Sequence, residues 1–151
     1  MSNADREPVR RGVDVGATHL ALVVSDLERS IAFYARYAGM QVVHRRQDPG
    51  GGVVWLSDLT RPFVLVLIEG EVEARLAGSC HLGVGCASRE EVDRLAAAAR
   101  AEGRLALGPT DSGPPIGYWA FLRDPDGHHL ELSFGQEVGL TVAAAARDAS
   151  G

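Results

Sequence analysis

The chain carries five histidines, and two of them, His19 and His81, open similar short apolar runs: His-Leu-Ala-Leu-Val-Val and His-Leu-Gly-Val-Gly-Cys. Residues two apart in a strand share a face. His19 therefore stands with Ala21 and Val23, and His81 with Gly83 and Gly85, opposite the bulkier aliphatic faces that should pack on helices. In the late run His129-Leu130-Glu131-Leu132-Ser133-Phe134, the same alternation sends Leu130, Leu132 and Phe134 one way and His129, Glu131 and Ser133 the other. Two imidazoles and a carboxylate on the concave side of a sheet bind a divalent metal facially and leave positions open for a substrate oxygen or water. Without such a partner, each of these groups would cost desolvation energy on an otherwise apolar strand.

The elements that must position these residues are written twice. Asp26 and Ser88 have the chemistry of helix N-caps. After the first, Leu27, Ile31, Tyr34 and Ala38 make one apolar stripe and Gly39 stops the helix. After the second, Ser88 with Glu91 forms a capping box, Val92, Leu95, Ala96 and Ala99 make the stripe, and Gly103 closes it. Three short strands are expected behind each helix, at about 41–46, 53–58 and 61–69, and again at 105–107, 117–123 and 128–134. Asp124-Pro125-Asp126-Gly127 is a hairpin turn between the last two. Leu65-Val66-Leu67-Ile68-Glu69-Gly70 lies over Leu130-Glu131-Leu132-Ser133-Phe134-Gly135, so Val66 matches Glu131. The fold class predicted is α+β: two tandem βαβββ modules forming a curved, mostly antiparallel sheet around a metal cavity, with helices on the outside. The modules span about 16–70 and 80–136 of a single domain, 16–136. Residues 1–15 read as a disordered N-terminal segment or tag remnant. The C-terminal tail, 137–151, carries Ala143–Ala146, which suits either a terminal helical turn or disorder.

A length of 151 residues leaves room for one ordinary domain, and 46% hydrophobic content is enough for a core. All 15 basic residues are arginine, which excludes Schiff-base and lysine-base chemistry. A net charge of -5 without a basic run makes nucleic acid a poor partner. No apolar run approaches the length of a membrane span, and a cytoplasmic location is expected. Cys80 and Cys86 have the opposite parity to His81 and read as small core residues in the helix layer. His44 and His128 read as surface residues, as do Arg45, Arg46 and Arg61.

The segment from His19 through Ser25-Asp26-Leu27-Glu28-Arg29-Ser30-Ile31-Ala32-Phe33-Tyr34 to Gly39-Met40 resembles the opening of a vicinal oxygen chelate module. The closing Phe121-Leu122-Arg123-Asp124-Pro125-Asp126-Gly127-His128-His129-Leu130-Glu131-Leu132 resembles its end. This superfamily includes glyoxalases, bleomycin-resistance proteins and extradiol dioxygenases. The resemblance implies metal ligands at His19, His81 and Glu131. A fourth ligand position corresponds to Val66, where glyoxalase I has a carboxylate, and Val66 would instead line the substrate. It places Tyr118 and Trp119 where relatives carry substrate-facing aromatics, one turned to the cavity and the other to the core, with Tyr118 a candidate acid or donor. His129, on the face of Glu131, is a candidate proton relay or partner of a ligand. The implied cofactor is a divalent metal, Fe2+ ahead of Mn2+, Ni2+ or Zn2+, and the implied partner is a small molecule that chelates it through vicinal oxygens. Ring-cleavage dioxygenase-like chemistry is favoured over a glyoxalase-type lyase or isomerase. The alternative from another class is a non-catalytic, antibiotic-binding protein. Relatives of this size complete the cavity as homodimers, which leaves open whether modules pair within a subunit or across two.

Overall fold

The computed structural model describes residues 14–151, so most of the expected N-terminal segment lies outside the described residues. The first module runs β1 (His19–Val24), α1 (Leu27–Ala38), β2 (Gln41–Asp48), β3 (Gly51–Ser57) and β4 (Val64–Glu69). The second runs β5 (Leu82–Gly85), α2 (Arg89–Ala101), β6 (Leu105–Asp111), β7 (Tyr118–Arg123) and β8 (His129–Phe134), followed by α3 (Val138–Asp148). The tail thus forms a helix, although none of its residues is buried. No helix among the described residues is long and apolar enough to cross a membrane.

Each module is a four-stranded mixed sheet, ordered β1-β4-β3-β2 and β5-β8-β7-β6. In both, the first strand joins the last in parallel and the remaining pairs are antiparallel. The expected single curved sheet is therefore two sheets. Among the described residues β1 and β5 keep one edge free of ladder partners, and side chains and loops join the modules instead.

The helices of the two modules, α1 and α2, begin where their caps require. The Asp26 carboxylate accepts from Arg29 N at 3.0 Å, and Gly39 ends α1 at φ 62°, a conformation that costs glycine nothing. Ser88 Oγ accepts from Glu91 N at 3.1 Å, while Glu91 Oε2 reaches back to Ala87 N at 2.7 Å, one residue before the usual capping-box donor. α1 buries Leu27, Phe33, Tyr34 and Tyr37, and α2 buries Val92, Leu95, Ala96 and Ala99. They share one core with Leu22, Val24, Leu56, Leu65, Leu67, Leu122, Leu130 and Leu132. Each full-size aliphatic side chain there contributes about 1.5–3 kcal/mol by leaving water.

The β7–β8 turn locks the modules together. Asp124 is buried; its Oδ1 accepts from Asp126 N (2.8 Å) and His128 N (2.9 Å), and its Oδ2 from the Tyr34 hydroxyl of α1 (2.9 Å). Asp126 accepts from Ser25 N, just after β1, at 3.0 Å. His128, expected at the surface, is 1% exposed. Its Nε2 lies 2.8 Å from Val23 O, and its Nδ1 accepts from Leu76 N at 3.1 Å. A carbonyl can only accept, so Nε2 carries the proton, and the ring ties the β7–β8 turn to β1 and to the intermodule connector.

Candidate metal centre

The strand registers set what stands beside each candidate ligand. Gly83 of β5 pairs with Glu131 of β8, and Ala21 of β1 pairs with Val66 of β4. Val66 therefore occupies the position of Glu131 in the other module. Glu69, the carboxylate three residues further along β4, pairs with Val24, and its Oε2 accepts from Gly52 N at 3.3 Å. On the neighbouring strands, Trp55 lies opposite Val66 and Phe121 opposite Glu131, so each concave face sets an aromatic ring beside the ligand position.

In the second module, His81 and Glu131 converge. His81 Nε2 is 3.4 Å from Glu131 Oε2, and His81 Nδ1 is 2.9 Å from Ser79 O. The Ser79 carbonyl keeps a proton on Nδ1, which turns the Nε2 lone pair of the neutral ring toward the carboxylate oxygen. An imidazole lone pair and an anionic oxygen this close need a proton or a cation between them, and the donor types fit a divalent metal. Glu131 is 7% exposed, so little water is available to screen its charge. The Phe121 ring lies 4.7 Å from His81, with Trp119 at 5.1 Å and His129 at 5.9 Å from Phe121. His81, Trp119, Phe121 and His129 together line a hollow of about 640 Å³. His129 Nδ1 is 3.2 Å from Gly78 O, so its proton is held there and Nε2 is left as the ring's free nitrogen.

His19 is elsewhere. Its Nδ1 is 2.9 Å from Thr18 Oγ1, and the ring lines a hollow of about 740 Å³ on the first module's concave face, together with Val66, Trp55, Arg46 and Arg61. Among the described residues no three His, Cys, Asp or Glu side chains come together as a metal-binding group. One chain thus assembles two of the three expected ligands, because the two concave faces are separate.

Several assignments shift with the geometry. Of the aromatic neighbours, Trp119 faces the hollow and Tyr118 faces the helix layer. The Tyr118 hydroxyl donates to Asp93 of α2, and the Arg89 guanidinium lies 4.3 Å over its ring. The hydrogen bond to the Asp93 carboxylate raises the Tyr118 pKa above the ordinary phenol value, so the group is both turned away from the hollow and a weaker acid than expected. Cys80 is exposed rather than in the core, whereas Cys86 packs against it and burial pushes its thiol up to about 11. Two aromatics outside the expected set also line these faces: Phe121, which the parity of β7 implies because it shares a face with Trp119, and Trp55, which the repeat implies. Gln136, whose amide donates to Glu131 Oε1 at 2.7 Å, carries no local signal, since it comes after the strand has ended.

Residues 16–132 match the family described as the Glyoxalase/Bleomycin resistance protein/Dioxygenase superfamily. The chain is 42% identical over 126 residues to PA2024, an uncharacterised protein of Pseudomonas aeruginosa, covering 81% of this chain and 90% of that one. It is 28% identical over 121 residues to lactoylglutathione lyase GLX1 of Arabidopsis thaliana, covering 76% of this chain but only 42% of the plant protein. Among solved structures it resembles the trypanothione-dependent glyoxalase I of Leishmania major, with a TM-score of 0.64 and 24% identity over 91% of this chain and 99% of that one. It also resembles a variant of the fosfomycin resistance protein FosX from Listeria monocytogenes complexed with Mn(II) and 1S,2S-dihydroxypropylphosphonic acid, with a TM-score of 0.63 and 20% identity over 83% of this chain and 94% of that one.

Proposed function

Because this chain belongs to the Glyoxalase/Bleomycin resistance protein/Dioxygenase superfamily, we propose that it is a divalent-metal-dependent enzyme whose small substrate binds through vicinal oxygens. His81 and Glu131 of one chain supply two ligands, and His19 of a second copy supplies the third. The observation that carries this is the approach of His81 Nε2 to Glu131 Oε2 with His81 Nδ1 held by Ser79 O. The separation of His19 from that pair supports a homodimer, since a second copy is the simplest source of the missing ligand.

A bound divalent ion would polarise the substrate oxygens and stabilise the enolate-like or catecholate-like charge that develops on them. The chain's own residues do the rest. Ser79 O fixes the His81 ring, and Glu131 adds negative charge that offsets the ion's. Phe121 and Trp119 supply an apolar wall that excludes water and suits a planar substrate. His129 Nε2, the free nitrogen on the same hollow, is the atom positioned to accept and return a proton. Apolar Val66 stands where a fourth ligand would be, leaving a two-histidine, one-carboxylate set. That set supports Fe2+ and oxygenase-type chemistry over the lyase or isomerase reaction. The similarity to a plant lactoylglutathione lyase favours the latter as the second reading.

The test is metal uptake by wild type, His19→Ala, His81→Ala and a mixture of the two variants refolded together. A site spanning two copies gives no uptake by either variant alone and about half the wild-type capacity in mixed dimers, because each mixed dimer holds one intact set. Wild-type protein that takes up no Fe2+, Mn2+, Ni2+ or Zn2+ refutes the enzyme reading. Uptake by His81→Ala at wild-type affinity refutes the ligand assignment. With metal bound, catechols and glutathione hemithioacetals separate oxygenase from lyase activity.

A further inference from the structure

Gln136 donates its side-chain amide to Glu131 Oε1 at 2.7 Å, while the other carboxylate oxygen, Oε2, faces His81 Nε2 at 3.4 Å. We propose that Gln136 is a positioning residue that makes Glu131 a one-oxygen metal ligand. This rests on the metal centre proposed above and deepens it. A carboxylate can bind a cation through one oxygen or both, and the two-oxygen mode takes an extra coordination position. An N–H donor on Oε1 draws charge from that oxygen and resists rotation of the group, so Oε2 alone is presented. Burial of Glu131 limits competition from water for the same oxygen. The position saved is one that a substrate chelating through two oxygens requires.

The surroundings hold Gln136 where it can act. The chain leaves β8 through Gly135 at φ 80°, and Glu137 N donates to Pro115 O at 3.1 Å. Gly117, at φ 84°, lies so close to Phe134 O, Gly135 C and Gln136 N that a Cβ there would collide with that backbone. The loop before β7 thereby clamps the turn carrying Gln136. On the adjacent strand, Gly83 pairs with Glu131 and has no side chain to crowd Oε1.

The experiment uses metal-stripped full-length protein, Co2+ as probe, calorimetry for affinity and the visible d–d spectrum for coordination number. Gln136→Leu removes the donor, and Gln136→Asn retains an amide one methylene too short to reach. Position 136 is exposed, and a thermal melt of each variant confirms that it is folded. The expected result is Co2+ affinity about 10- to 100-fold weaker in both variants, with weaker d–d bands as Oε1 joins the coordination sphere and the coordination number rises. Loss of a merely structural contact would leave the spectrum unchanged. Uptake that Glu131→Ala abolishes but both Gln136 variants preserve, with wild-type affinity and spectrum, overturns the positioning role and leaves the metal centre intact. Wild-type protein that takes up no Co2+ overturns both.

Discussion

Replacing His128 should weaken the joint between the two modules more than it weakens either module. The ring bonds Val23 O at 2.8 Å and Leu76 N at 3.1 Å while being 1% exposed. In His128→Ala both backbone groups lose their partner, at about 1–3 kcal/mol for each buried group left unsatisfied. The two contacts are only partly buried, so the lower half of that range applies, and a total near 3 kcal/mol includes the space left by the ring. At this chain length the loss corresponds to a fall in Tm of about 6–12 °C. The chain's two tryptophans, Trp55 in β3 and Trp119 in β7, report one on each module. Urea titrations followed by fluorescence in Trp55→Phe and Trp119→Phe backgrounds therefore read the modules separately. The two probes should give one midpoint with His128 present and two midpoints in His128→Ala, because the modules then unfold less cooperatively. His128→Asn can restore the acceptor for Leu76 N and His128→Gln the donor for Val23 O, so each should fall between Ala and wild type. A His128→Ala protein that melts within 2 °C of wild type, or whose two probes still coincide at a lowered midpoint, would refute the latch.

Burial, followed by the adjacent Asp124 carboxylate, raises the Tyr34 pKa well above that of an ordinary phenol, about 10. The unfolded phenol thus loses its proton first as pH rises, and the stability Tyr34 contributes is complete below about pH 10 and falls above it. Tyr34→Phe should cost about 1–3 kcal/mol at neutral pH by stripping Asp124 Oδ2 of its donor, and should flatten the decline of Tm above pH 10. With the Cys86 thiol pushed up to about 11 and Cys80 exposed, a thiol reagent at pH 8 should label one equivalent quickly, and Cys80→Ser should remove that fast phase. Gly117→Ala should destabilise the protein by displacing the Phe134–Gln136 backbone, and thermal melts that show no loss would contradict the close approach described.

Much of each module was legible in the chain, because the controlling signals act over a few residues. Period-two alternation set the faces of His19 and Glu131, Asp26 and Ser88 capped their helices, and the repeat matched Val66 to Glu131 across equivalent registers. The match to the family extends over 16–132, which takes in both segments that carried the resemblance and the stretch between them. Alternation states that Tyr118 and Trp119 oppose each other but not which faces inward. Asp93 and Arg89, brought up by α2, decide that. His128 looked like a surface residue of a turn, since nothing within its own hairpin buries it. Only the docking of β1 and the connector onto that turn removes it from water.

The sequence by itself determined two βαβββ units and the side of each sheet on which the candidate ligands stand, since pleat and capping are properties of neighbouring residues. The tertiary structure alone decided how the units meet: two sheets joined through the Asp124–His128 turn, His81 and Glu131 together with Gln136 behind them, and His19 on another face. That outcome depends on surfaces from distant segments fitting one another, and no spacing along the chain records such a fit.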